Sequence, residues 1–138
     1  MSDISLAGGC SCGAVRYQCD GEPVMAAHCH CRDCQRSSGA AMATVFAVPK
    51  AAFHLLQGKT STYAYTGDSG QPVIRHFCPT CGAPLFTEVT VMPDLQFVRA
   101  ASLDAPAQIQ PGMHIYCDSA QPWGECQDGL PRFPKLPA

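Results

Sequence analysis

Seven of the ten cysteines in this sequence fall in three tight groups: Cys10-Ser11-Cys12-Gly13, Cys29-His30-Cys31-Arg32-Asp33-Cys34 and Cys78-Pro79-Thr80-Cys81-Gly82. Thiolates are soft anionic ligands, and such spacing points first to metal binding. Segment 78–82 has the chemistry of a zinc knuckle. Two sulfurs three residues apart in a tight turn converge on one ion, proline stiffens the turn, and the glycine after the second cysteine accepts positive φ. A knuckle supplies half of a tetrahedron. Cys10 and Cys12, likewise followed by glycine, are the complement; read as an extended segment, i and i+2 face one side. The expectation is a closed structural zinc site on Cys10, Cys12, Cys78 and Cys81, whose ion must be bound before either arm is ordered. A thioredoxin-like redox pair at Cys78 and Cys81 would want a helix starting at the first cysteine, whereas Gly82-Ala83-Pro84 follows here.

Cys29, Cys31 and Cys34 place three thiolates within six residues, with no fourth cysteine or histidine at a natural spacing nearby. Three protein ligands and an open position are the pattern of a reactive zinc, as four are of a structural one. The alternative is a second closed site completed by a distant residue such as Cys117. His30 lies between two ligands, and in an extended segment its ring points away from the metal they share. His28 and His30 therefore read as surface residues or as partners of the ligands. The spacings match neither ferredoxin run. A nucleic-acid-reading finger would want a basic helix, but the nine Lys and Arg are dispersed. Cys19, Cys117 and Cys126 stand alone and read as packed, reduced thiols.

The elements that must hold these groups are short. Strand-like stretches cover 14–19, 42–48, 61–66, 73–77, 84–91, 95–101 and 114–116. The turn Thr66-Gly67-Asp68-Ser69-Gly70 predicts a hairpin. One short helix is expected over 32–38, ended by Gly39. Pro106, Pro111, Pro122, Pro131, Pro134 and Pro137 forbid a long helix in the tail, which should wrap the core in extended form. The class is a mainly antiparallel β fold, and 138 residues suit a single domain spanning 1–138. Apolar residues at 46% exclude disorder, and a formal net charge of −2 gives no drive towards nucleic acid or an anionic membrane. No apolar run approaches the roughly 18 residues of a membrane span. Met1 to Leu6 lack a basic or apolar leader, so a cytoplasmic location is expected, where cysteines are not committed to disulfides.

With these motifs in order, the chain resembles the glutathione-dependent formaldehyde-activating family, which includes the centromere protein V-like proteins. The resemblance rests on Gly8-Gly9-Cys10-Ser11-Cys12-Gly13-Ala14-Val15-Arg16-Tyr17, on the run from Cys29 to Ala40, and on Phe77-Cys78-Pro79-Thr80-Cys81-Gly82. His114-Ile115-Tyr116, Pro122-Trp123 and Asp128-Gly129-Leu130-Pro131-Arg132-Phe133 extend it to residue 133. It implies the Mss4-like β fold and two zinc ions per chain: a structural one on Cys10, Cys12, Cys78 and Cys81, and one at an active site on Cys29, Cys31 and Cys34. It also implies the family's named activity, a carbon–sulfur lyase-type formation of S-(hydroxymethyl)glutathione from glutathione and formaldehyde. In that reading the open position takes a substrate thiolate, His30 shuttles its proton, and Arg32 or Arg36 meets a glutathione carboxylate. Both arginines suit a solvated helix face better than a ligand contact, and Phe46 and Trp123 suit packing roles. The competing class is a non-catalytic, zinc-stabilised thiol carrier or interaction module.

Overall fold

The computed structural model describes residues 4–124 and 127–137. Cys126 lies outside them. Ten strands and one α-helix order as β1 (Ser5–Gly9), β2 (Arg16–Asp20), β3 (Met25–Cys29), α1 (Arg32–Ser38), β4 (Ala43–Pro49), β5 (Phe53–Gln57), β6 (Ser61–Thr66), β7 (Pro72–Phe77), β8 (Pro84–Val89), β9 (Leu95–Arg99) and β10 (His114–Ile115), with 3₁₀ turns between several of them. A three-stranded sheet runs β1-β2-β5, and a seven-stranded sheet runs β10-β3-β4-β9-β8-β7-β6.

The expected hairpin joins β6 and β7, with Gly67 N donating to Gln71 O at 2.9 Å. The expected helix is α1, closed by Gly39 in the left-handed region, its N–H donating to Gln35 O. Three strands lie outside the sequence reading: β1, β3 and β5. Their compositions (SLAGG, MAAHC, FHLLQ) carry few β-branched residues, and pairing within the sheets sets their state.

The proline-rich tail does return over the sheet, but as paired backbone and 3₁₀ turns. β10 adds to β3 in parallel, the exception in an otherwise antiparallel sheet. Residues 131–135 then lie against 114–118, with Phe133 N donating to His114 O at 2.9 Å and Cys117 N to Phe133 O at 3.0 Å.

Two apolar clusters form. The larger takes Leu6 and Tyr17 from the small sheet and Phe46, Val48, Leu85 and Val98 from the large one, so the two sheets bury their inner faces on each other. Cys78 belongs to it and Cys10 packs against it. The smaller gathers Ala27, Cys29 and Ile115, with Cys31, Cys34, Tyr116 and Phe133 around them. Each cysteine set thus sits at the rim of its own apolar cluster.

Candidate metal centres

The turn between β1 and β2 and the turn between β7 and β8 are built alike. Cys10 N donates to Val15 O and Gly13 N to Cys10 O, while Cys78 N donates to Ala83 O and Gly82 N to Cys78 O. Gly13 and Gly82 sit at φ 82° and 79°, where a side chain would be strained. Cys10 and Cys12 therefore occupy a second knuckle, correcting the extended segment expected from their spacing. Amides turn toward the sulfurs: Val15 N lies 3.3 Å from Cys10 Sγ, and Thr80 N and Cys81 N each 3.4 Å from Cys78 Sγ.

The four sulfurs lie within 4.8 Å of one another, with Cys10–Cys12 at 3.6 Å and Cys12–Cys78 at 3.7 Å. Ligands 2.3 Å from zinc on a tetrahedron are separated by about 3.8 Å, so this set fits the ion in number, chemistry and spacing. Without metal, the sulfurs share protons unequally. Burial raises Cys10, but the Val15 amide and the neighbouring thiols outweigh it and bring it down to about 6. Cys12 is pushed up to about 11: the Ala14 backbone lowers it, and the hydrogen bond to Cys10, with burial, prevails.

Cys29, Cys31 and Cys34 are brought together by the end of β3 and the start of α1, their sulfurs again within 4.8 Å. Cys31 is the N-cap of the helix, and its sulfur accepts from Cys34 N at 3.3 Å. Buried Gln35 holds the loop from behind, its Nε2 donating to His30 O at 2.6 Å and Ser119 O at 2.9 Å. Hydrogen bonds from Cys29 and Cys34 hold Cys31 down to about 3, so the metal-free set already carries one thiolate. Cys29 is pushed up, first by its hydrogen bonds to Cys31 and Cys34. Cys34 is lowered by Cys29, but Cys31 and burial prevail and take it up to about 12. No further Cys, His, Asp or Glu among the described residues joins this trio within the same spacing, Cys117 included. Three thiolates fit a metal with one position left for another ligand.

His30 is not at the surface, which corrects that expectation for it, and His28 is half-buried. His30 and His114 are fully buried, and His30 Nε2 meets His114 Nδ1 at 2.8 Å. His114 Nε2 meets Asp128 Oδ2 at 2.8 Å, and His28 Nδ1 meets Thr44 Oγ1 at 2.8 Å. His28 pairs with His114 across β3 and β10, so the histidines share one face of the strand, and alternation puts Cys29 and Cys31 on the other. His28, His114 and Asp128 also converge within 4.8 Å, but both ring nitrogens of His114 already meet protein partners. Nothing in local spacing predicts this row, because β10 and Asp128 lie more than 80 residues beyond β3.

Arg32 and Arg36 are exposed on α1, and Arg32 donates to Gln35 Oε1. The arginines that face a cavity next to α1 are others. Arg75 from β7 and Arg99 from the end of β9 line a space of about 160 Å³, together with Ser37, Gly82 and Phe86. Arg99 Nη2 donates to Ser37 Oγ at 2.6 Å, and Ser37 Oγ donates to Cys34 O at 3.3 Å. Tyr65 is near as well: burial first, then the charges of Asp33, Cys31 and Cys34, push its phenol up, so it stays protonated. Phe46 is fully buried in the main core, but Trp123 is 74% exposed and packs into neither cluster.

Fold and site together define a β protein organised around two cysteine centres, each able to hold a metal ion. The chain belongs to the family described as glutathione-dependent formaldehyde-activating enzyme, which it matches over residues 5–119. A protein of Halomonas elongata named "Putative glutathione-dependent formaldehyde-activating enzyme" is 25% identical over 127 residues, 88% of this chain and 81% of that protein. The crystal structure of a Rhodobacter sphaeroides protein shares the fold, with a TM-score of 0.59 and 22% identity over 91% of this chain and 98% of that one. Among the described residues no helix is long and apolar enough to cross a membrane.

Proposed function

We propose that the protein binds two zinc ions and joins a small-molecule thiol, glutathione, to formaldehyde as S-(hydroxymethyl)glutathione, a carbon–sulfur lyase-type reaction run in the direction of bond formation. The observation that carries this reading is the trio Cys29, Cys31 and Cys34, which converges without a fourth described ligand. Cys10, Cys12, Cys78 and Cys81 are the structural set in this reading. Zinc held by Cys29, Cys31 and Cys34 would supply positive charge that favours a bound thiol in its ionised form.

The protein's own groups do the rest. Gln35 pins the ligand loop, so the substrate sulfur meets a fixed site and gains from proximity to the aldehyde. The sulfur lone pair forms a C–S bond to the carbonyl carbon while the C=O π pair passes to oxygen. That oxygen takes up one proton, equal to the one the thiol released, and nothing is oxidised or reduced. Tyr65, held as a phenol, is a donor suited to the developing alkoxide. His30, on the side of the chain away from the sulfurs, would take part in proton movement only at one remove, through its hydrogen bond to His114.

Zinc-loaded protein is expected to accelerate the loss of free formaldehyde in the presence of glutathione, followed by NMR of the hydroxymethyl adduct. A rate equal to the uncatalysed one overturns the enzymatic reading, and saturable glutathione binding retained alongside it would leave the carrier.

A further inference from the structure

We propose that Arg75 and Arg99 form a carboxylate-binding subsite beside the three-cysteine centre, which selects anionic ligands over neutral ones; this rests on the thiol-binding reading of that centre. The two guanidinium groups belong to different strands of one sheet and line the same 160 Å³ cavity. Neither forms an ion pair with a carboxylate among the described residues. Arg99 is only 8% exposed, and Ser37 Oγ accepts from its Nη2. Arg75 lies over the rings of Tyr63 and Tyr65, 5.1 and 5.5 Å from their centroids, and its buried Nε has no hydrogen-bond partner. A buried cation without a carboxylate is costly, and a cavity bounded by buried Arg99 and half-buried Arg75 takes a bidentate anion readily.

Size and position narrow the ligand. A space of about 160 Å³ between the two guanidinium groups has room for one carboxylate-bearing arm. A second space of about 590 Å³ shares Arg99 and Pro84 with the first and is lined further by Met42 and Cys10 of the structural set. The Arg99–Ser37–Cys34 hydrogen-bond chain ties the arginine to the helix that carries Cys34. Arg99 also pulls on the Cys34 thiol and Arg75 on the Asp33 carboxyl, so a rival role for the pair is to offset these charges alone.

The test is calorimetric titration of the zinc-loaded full chain with S-methylglutathione, which keeps both carboxylates and offers no thiolate, and with its diethyl ester. The acid is expected to bind at least about tenfold tighter than the ester. Arg75→Gln and Arg99→Gln are each expected to remove most of that preference with zinc content unchanged. The comparison of acid with ester needs no variant, so it stands even if loss of buried Arg99 prevents folding. Equal binding of acid and ester by the unaltered chain overturns the proposal. So do variants that keep the preference, or that lose zinc while leaving it intact. Because the probe lacks a thiol, failure of the thiol reading shows separately, as absence of any rate gain with glutathione and formaldehyde.

Discussion

If both cysteine centres bind zinc only in the folded chain, thermal stability must depend on free zinc with a slope that counts the ions. Each tenfold rise in free zinc above the dissociation constant adds about 1.4 kcal/mol per site to the folded state. Unfolding entropy near the midpoint is about 2.1 cal/mol/K per residue, and the chain has 138 residues. The total is about 0.29 kcal/mol/K, so one coupled site shifts Tm by about 5 °C per decade and two sites by about 10 °C. The assay is differential scanning calorimetry in chelator-buffered zinc across several decades. Cys81→Ser and Cys34→Ser should each reduce the slope towards 5 °C, because each removes a ligand from a different set. Cys81→Ser should also leave the chain poorly folded at low zinc, since its set joins two turns 66 residues apart, whereas Cys34→Ser should leave a folded domain without catalysis. A slope near 5 °C for the unaltered chain would refute the two-ion reasoning, and a flat line would refute metal-coupled folding altogether.

Further outcomes follow from the same geometry. Near neutral pH, Cys31 is already ionised with its value near 3, while Cys34, near 12, and Cys29 above it hold protons. Zinc entering that trio should release about two protons, and because the thiols must be deprotonated to bind, affinity should rise about 100-fold per pH unit. Calorimetry in buffers of different ionisation enthalpy measures the count directly. Phe46→Ala should cost about 3–5 kcal/mol in urea unfolding, since the ring is fully buried between the sheets. Gly58→Ala should cost at least about 1–2 kcal/mol in the same assay: φ is +84°, and a Cβ would meet Ala14 O at 2.2 Å.

The cysteine sets were legible because their logic is local: two or three sulfurs within a few residues, with glycine after the turn. Pairing Cys10 and Cys12 with Cys78 and Cys81 followed from the need to complete a tetrahedron, although the sequence suggested the wrong backbone for the first pair. Helix α1 was legible from its termination at Gly39, and β6 from its Thr and Tyr residues. β1 was not, because Ser5-Leu6-Ala7-Gly8-Gly9 has poor strand propensity. Gly8 is needed there for close approach, as a Cβ would lie 2.5 Å from Tyr17 Oη and 2.6 Å from Ser102 O. The arginine pair was hidden for another reason. Arg75 and Arg99 are each unremarkable in their own strand, and only the sheet order β9-β8-β7 brings them to one cavity, whereas Arg32 and Arg36 lie close to the cysteines in sequence and point to solvent.

The alternation along β3 has a consequence for how the chain finds its fold. His28 and Cys29 point to opposite sides of β3, and His30 and Cys31 continue the alternation beyond its end, so sliding the pairing by a single position would exchange soft anionic ligands for neutral borderline ones. A thiophilic ion would discriminate sharply between the two alignments. A metal held by Cys29 and Cys31 would thus favour the observed alignment over the shifted one.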